Sequence, residues 1–438
     1  KKYLSAVDEL WADSADKAIQ EQVGARSKAE YVLVDTQAKF EKFLAELSKQ
    51  KAIALDTETT GLNPVKAELV GMSFSWQAGQ GYYLPFRAFL GQNTLDIDSS
   101  LRALRDVLEN ERVGKYGHNI KYDLLMLKAV GVELAGVSFD SMVASYLLES
   151  DRPSHSLKAL GRELLGMEVT QISELIGKGK KQIGFDEVPI AQACDYAAQD
   201  ADMTWRLQEL LSKQLAPAGV EKLFNEVEMP LVEVLAQMEY NGIKLDEKKL
   251  GQMSQDLEKQ THDLLDEIYQ QAGEEFNVDS PQQLAKVLFS KVGLKPVRKT
   301  KTGFSTDVNV LEKLRVQHPL PGLVLQYRQI AKLKNTYLDV LPKMVCAKTS
   351  RLHASFNQTI TATGRLSSSG PNLQNIPARN EMGRQIRAAF VPGEADNVLL
   401  TADYSQIELR VLAHFSKDEQ LCEAFARRED IHSFVAGQ

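Results

Sequence analysis

The chain has 438 residues, 43% of them apolar and 25% charged. That composition excludes a disordered chain, a collagen-like fibre and a disulfide scaffold, and the length leaves room for two to four domains. The 52 Lys and Arg against 59 Asp and Glu give a formal charge of −7, which by itself speaks against a polyanion as partner.

In chain order, residues 5–24 have the spacing of a charged linker or edge helix. Strand-like runs follow at 31–36, 52–56, 69–76 and 81–86, rich in β-branched and aromatic residues. Helical patterns come next at about 98–110, 119–130, 140–149, 156–165 and 189–214. Strands first and helices after predict one α/β domain ending near Pro217. Residues 219–270 read as long amphipathic helices interrupted at Asn241-Gly242, a strong turn signal. A basic loop occupies 291–306, and a helix resumes over about 321–345. The run at 351–360 predicts a strand, and a long irregular stretch follows it. V-L-L-T-A-D (398–403) predicts a short strand ending in Asp403, with helical spacing again from Gln406. The resulting division is 1–29 linker or helix, 30–217 α/β domain, 218–345 helical region and 346–438 a last mixed region.

The net charge hides a segregation. Residues 281–393 hold 18 Lys and Arg against 4 Asp and Glu, a net of +14, and the remainder carries −21. So basic a block is a footprint for a polyanion. Cys194, Cys346 and Cys422 match no zinc or redox spacing, which points to a reducing, intracellular setting. No apolar run reaches about 18 residues, so no membrane span is expected. The first residues lack the apolar core of a signal peptide, and a start at Lys1 points to a piece of a longer protein.

Two constellations carry chemistry. In D-T-E-T-T-G-L, Asp56 and Glu58 sit at the end of a strand, and positions i and i+2 share a face. Two carboxylates side by side repel unless a cation lies between them, and hard oxygen ligands suit a divalent ion such as Mg²⁺. Alone the pattern is common, and its default reading is a solvated acidic turn. Two later segments add to it: G-H-N-I-K-Y-D-L-L, with Asp123 early in an amphipathic helix, and D-Y-A-A-Q-D, where Tyr196 and Asp200 share a helix face. Four such carboxylates suit two metal ions about 3.5–4 Å apart, the arrangement of phosphodiester hydrolysis, with Tyr196 placed to orient a water.

The second constellation lies in the basic block. T-A-T-G-R-L-S-S-S-G-P-N-L-Q-N-I-P-A-R (361–379) combines hydrogen-bonding side chains with turn residues, and Arg365, Arg379, Arg384 and Arg387 add positive charge. In T-A-D-Y-S-Q-I-E-L-R, Asp403 reads equally as a metal-binding carboxylate or a helix N-cap, and Glu408 falls within the next helix.

The three acidic segments resemble the exonuclease motifs of the DEDD 3′–5′ exonuclease superfamily, in the subclass with Tyr four residues before the last Asp. D-Y-S-Q-I-E-L-R resembles the palm signature of family A DNA polymerases, T-A-T-G-R-L-S-S with P-N-L-Q-N-I-P that family's other strong marker, and Y-R-Q-I-A-K-L-K-N-T-Y (327–337) its thumb–palm junction. From about residue 30 onward the chain is similar to the Klenow-type arrangement of bacterial family A polymerases. The resemblance implies a ribonuclease H-like α/β exonuclease domain (30–217), a helical thumb (218–345), and the first part of a palm with the start of the fingers (346–438). It implies Asp56, Glu58, Asp123 and Asp200 as ligands of two Mg²⁺ or Mn²⁺ ions, with Tyr196 beside them. It also implies Asp403 as a ligand of Mg²⁺ in the polymerase site and Glu408 as the steric gate that selects deoxynucleotides. Arg365 would reach the minor groove at the primer end. Lys332, Lys334, Asn372, Gln374, Arg379 and Arg384 would contact DNA. Leu62, just past the first acidic motif, reads as a wedge against a terminal base or equally as an ordinary core leucine. The partners implied are primer–template, single-stranded DNA and deoxynucleoside triphosphates, in the bacterial cytoplasm at the nucleoid.

A fingers helix and a second palm carboxylate, which the family needs, are not found before Gln438. The expectation is that these residues alone do not polymerise without a separate carboxyl-terminal half. The alternatives are a stand-alone 3′–5′ exonuclease with a DNA-binding platform, and one half of a split polymerase.

Two measurements check these expectations. Primer extension by the purified 438-residue chain should be undetectable, and template-directed extension would contradict it. Duplex affinity should fall with salt at a log–log slope of about −0.9 per neutralised phosphate, and a flat response would remove the DNA-facing role of 281–393.

Overall fold

The computed structural model describes residues 29–431 apart from 302, 379, 380, 395, 429 and 430. The helix expected at 5–24, and Arg379, lie outside the described residues. The chain forms two compact units, one through Phe390 and one from Val391.

The first unit opens with one mixed sheet. Its strands are β1 Glu30–Leu33, β2 Ala52–Thr59, β3 Leu69–Ser75, β4 Gln80–Pro85, β5 Gly114–Gly117 and β6 Val137–Asp140, in the order β1-β4-β3-β2-β5-β6. β2, β3 and β4 form an antiparallel meander, while β1 runs parallel to β4, β5 to β2 and β6 to β5. Parallel neighbours need crossover connections. Helix Ile97–Leu108 lies in one and Ile120–Ala129 in the next. Strands and helices are therefore interleaved, rather than strands first and helices after. Patterning missed helix Gln37–Leu47 and the four-residue strands β5 and β6, which are too short to show a period.

β2 sorts its side chains by alternation. Ile53 and Leu55 are fully buried in the main core with Met72 and Phe74 of β3. Asp56 and Glu58 take the opposite face, opposite Ser73 and Gly71 of β3. The 26-residue helix Ile190–Leu215 crosses that face. Its small buried residues Ala193, Ala197, Ala198 and Ala201 let it come close. At Gly81 of β4 a Cβ would lie 2.4 Å from the carbonyl oxygen of Ala198, so only glycine fits there. Buried Asp202 pins the same helix to the sheet edge, accepting from the Gly79 amide at 2.7 Å and the Tyr31 hydroxyl at 3.2 Å.

Two long helices follow, Met229–Asn241 and Glu247–Ala272, separated at Gly242, whose φ of 55° suits glycine. Helix Pro319–Leu333 packs along Glu247–Ala272. The helix expected over 321–345 breaks into this helix, a π-helical turn at Lys334–Leu338 and a short helix Leu341–Met344. The strand expected at 351–360 is confined to Ser355–Asn357. Buried and half-buried polar contacts bind this region to the α/β part. Lys121 forms a buried ion pair with Glu239 at 2.5 Å, and Glu239 also accepts from the Phe356 amide at 2.7 Å. The Tyr146 hydroxyl donates to the Thr361 carbonyl at 2.6 Å and accepts from the Gly364 amide at 3.0 Å.

The second unit holds helices Ile407–Ser416 and Glu419–Ala426, joined by Arg410 over the Phe425 ring at 4.5 Å. The strand expected at 398–403 does not form. A strand needs a hydrogen-bonded neighbour; among the described residues none pairs with it, and Val398 and Leu400 are 85% and 90% exposed. Asp403 is exposed in irregular chain and is not a helix N-cap, since Gln406 precedes the helix. No helix among the described residues is long and apolar enough to cross a membrane.

Gly81→Ala should lower stability by about 1–3 kcal/mol through overpacking, read as a lower urea midpoint. An unchanged midpoint would show that the helix does not depend on this close approach.

Candidate active site

Three elements bring the expected carboxylates together. β2 carries Asp56 and Glu58, helix Ile120–Ala129 carries Asp123, and helix Ile190–Leu215 carries Tyr196 and Asp200. One oxygen from each of Asp56, Glu58 and Asp200 lies within 4.8 Å of the others. Asp123 is buried beside them and accepts through Oδ1 from the Thr57 amide at 2.8 Å and the Thr57 hydroxyl at 2.6 Å. Thr57, between the two strand acids, thus aims the third. Tyr196 lies one helical turn before Asp200, on the same face of the helix.

Buried Asp140 sets the helix of Asp123. It accepts from the Asn119 and Ile120 amides at 3.1 and 2.8 Å, and from the Met142 amide at 2.8 Å. One carboxylate therefore caps the starts of two helices. Tyr122 ties the neighbouring loop, donating to the Gly61 carbonyl at 2.6 Å. The next residue, Leu62, is 99% exposed, so it is not core and is presented to solvent beside the cluster's strand.

The electrostatics oppose ionisation. Burial, then Asp123 and Glu58, hold Asp56 well above the usual carboxylate range. Burial and Asp200 push Glu58 up to about 8. Burial raises Asp123 to about 7 against the two Thr57 hydrogen bonds, and Asp200 to about 6 against Lys158. Burial, with Asp200 next, also raises the Tyr196 phenol. His118 is pushed down to about 3 by burial, His155 and Lys158, so it is neutral at pH 7.

This donor set fits a divalent cation. Glu58 Oε1 is buried with no hydrogen-bond partner, and hard oxygens converge from three residues. Patterning missed Lys158, whose ammonium pairs with Asp200 Oδ1; nothing in S-L-K-A-L marks it.

The residues expected to contact DNA are more dispersed. Lys332 is exposed on helix Pro319–Leu333. Lys334 is instead engaged by Asp339 at 2.8 Å. Arg365 and Arg387 are exposed, and Arg384 pairs with Glu381 at 2.6 Å. Asn372 and Gln374 shape their own loop: Asn372 Oδ1 accepts from the Gln374 amide at 3.0 Å, and Gln374 Nε2 donates to the Leu366 carbonyl at 2.9 Å. Glu408 lies exposed in the first turn of Ile407–Ser416.

Raised carboxylate pKa values predict a pH response in metal-free protein. The folded state holds these protons more tightly than the unfolded chain, so stability falls as pH rises through about 7 and 8, the values of Asp123 and Glu58. In chelator, the melting temperature should drop between pH 6.5 and 8.5, and drop less in Glu58→Gln. Equal drops would contradict the assigned burial of Glu58.

Two family models match the chain: 3′-5′ exonuclease over residues 31–216 and DNA polymerase family A over 247–438. DNA polymerase I of Pseudomonas aeruginosa is 42% identical over 94% of this chain and 46% of its own length. DNA polymerase I of Chloroflexus aurantiacus is 43% identical over 90% of this chain and 42% of its own. The chain thus spans less than half the length of these curated relatives. Among solved structures, the POL domain of Pol1 from M. smegmatis, in complex with DNA primer-template and dNTP, superposes with a TM-score of 0.78 at 33% identity, over 92% of this chain and 66% of that one. With a 3′–5′ exonuclease segment followed by a polymerase segment, the chain belongs to the family A DNA polymerases of the DNA polymerase I type.

Proposed function

We propose that the α/β part is a proofreading 3′–5′ exonuclease acting on single-stranded DNA ends, within a protein whose polymerase segment binds primer–template for DNA synthesis in replication and repair. The observation that carries the reading is the convergence of Asp56, Glu58 and Asp200, with the buried and unpartnered Glu58 Oε1. Asp56, Glu58, Asp123 and Asp200 would hold two Mg²⁺ or Mn²⁺ ions. When bound, such ions offset charge on a phosphodiester and make water a better nucleophile. The chain's own residues do the rest. Thr57 fixes Asp123, and Tyr196, one helical turn before Asp200 and under the Lys158 ammonium, keeps its phenol protonated as a donor. Leu62, exposed on its tied loop, supports a wedge against the terminal base.

In the polymerase segment, 218–345 serves as thumb and 346–438 as partial palm and start of the fingers. Lys332, Arg365, Arg379, Arg384 and the basic loop hold backbone phosphates and the primer end. Lys334, paired with Asp339, contributes only by exchanging that partner for a phosphate. Asp403 binds Mg²⁺ and Glu408 selects deoxynucleotides once the polymerase site is completed. The bacterial sources of the relatives support action in the bacterial cytoplasm, at the nucleoid.

The test is Mg²⁺-dependent digestion of a single strand with a labelled 3′ nucleotide. Asp56→Ala and Asp200→Ala should each slow it by about 10²-fold or more with DNA binding retained, and Tyr196→Phe should slow it less. Unchanged digestion in both alanine variants would sink the assignment.

A further inference from the structure

Lys158 occupies a position that helix formation does not explain. It is the second residue of helix Leu157–Leu165, after the Ser156 N-cap. A cation there faces the positive end of the helix dipole, which is unfavourable. Its ammonium nevertheless turns inward, pairing with Asp200 Oδ1 and lying 3.8 Å from the centre of the Tyr196 ring. The side chain is only 14% exposed, and that of Asp200 only 7%. The packing makes this reach possible: at Gly161 a Cβ would lie 2.5 Å from Met203 Sδ, so the helix sits close against Ile190–Leu215. Among the ion pairs of the described residues, this one joins a cation to the four-carboxylate cluster.

We propose that Lys158 is the resident counter-ion of this cluster, holding Asp200 while no divalent ion is bound and yielding it when one loads. The inference rests on the metal-site reading above. An ammonium and a divalent ion compete for the same carboxylate, and two cations a few ångströms apart repel in a water-poor site. Lys158 thus keeps the metal-free cluster compact at the expense of metal affinity, and it is a positioning residue, not a catalytic one.

Mn²⁺ titration of the full chain, followed by the electron paramagnetic resonance of free Mn²⁺, tests this together with melting in chelator and in saturating Mn²⁺. Lys158→Met should bind Mn²⁺ about tenfold more tightly than wild type. It should melt lower than wild type in chelator and level with it in Mn²⁺. Lys158→Arg, which keeps the charge, should return both properties toward wild type. Unchanged Mn²⁺ affinity in Lys158→Met, or the same loss of melting temperature with and without Mn²⁺, would reduce Lys158 to ordinary packing and overturn the proposal, leaving the metal site intact. Failure of wild type to bind Mn²⁺, or equal binding by Asp56→Ala, would instead remove the metal-site reading, and the proposal with it.

Discussion

Like charges forced together in a water-poor cleft are the constraint on which the amino-terminal fold turns. Two unit charges 4 Å apart cost on the order of 4 kcal/mol at an effective dielectric of 20. Four carboxylates therefore do not assemble by their own preference; the core must impose them. β2 does so from below, anchored by Ile53 and Leu55 in the main core. The helix Ile190–Leu215 does so from above, and its alanines over Gly81 set how near Asp200 comes to the strand. Widening that gap would ease the repulsion and remove the cation site together, because both depend on the same distance.

The helix of Asp123 shows how position is over-determined. Its start is capped by Asp140, its functional carboxylate is held by Thr57, and Lys121, two residues before Asp123, is buried against Glu239. Glu239 also takes the Phe356 amide, from the strand that leads to the T-A-T-G-R loop. Tyr146, on the second helix capped by Asp140, bonds to that loop directly. A buried pair of this kind adds little net stability, yet losing one partner leaves an uncompensated charge worth about 3–5 kcal/mol. Such contacts specify geometry. The T-A-T-G-R loop and the carboxylate cluster thus share one hydrogen-bonded frame within the first unit.

Legibility in the sequence followed how local each feature is. Asp56 and Glu58 were readable because strand alternation puts i and i+2 on one face, and Tyr196 with Asp200 because i and i+4 share a helix face. That these pairs and Asp123 meet was readable only from the resemblance, since their separation along the chain carries no distance information. Lys158 and Asp140 escaped both routes. A lysine in a first turn and an aspartate ending a four-residue strand look like surface residues until tertiary packing buries them. Lys334, Asn372 and Gln374 fit a DNA-contacting composition, but the same donors and acceptors also satisfy nearby backbone and side chains, and locally they do. V-L-L-T-A-D has the texture of a strand, but a strand is a property of two segments, and the second is not among the described residues.

The segregation of charge now has a physical reading. A polyanion approaching the exonuclease cleft meets a cluster of the same sign, which repels it unless cations intervene. The basic block at 281–393 lies elsewhere in the chain, and on the proposed function it would bind backbone without requiring a metal. On the function proposed above, attraction and cleavage would be separated: the duplex would be held where positive charge is permanent, and a strand end cut only where positive charge is loaded. A mispaired end frays because pairing no longer holds it, and on that function only then would it be free to leave the basic block for the acidic cluster. The cation requirement of the acidic site then acts as selection. On the proposed function, a paired end kept on the basic block would have no electrostatic reason to enter, whereas a frayed end would gain entry only to a cluster already neutralised by cations.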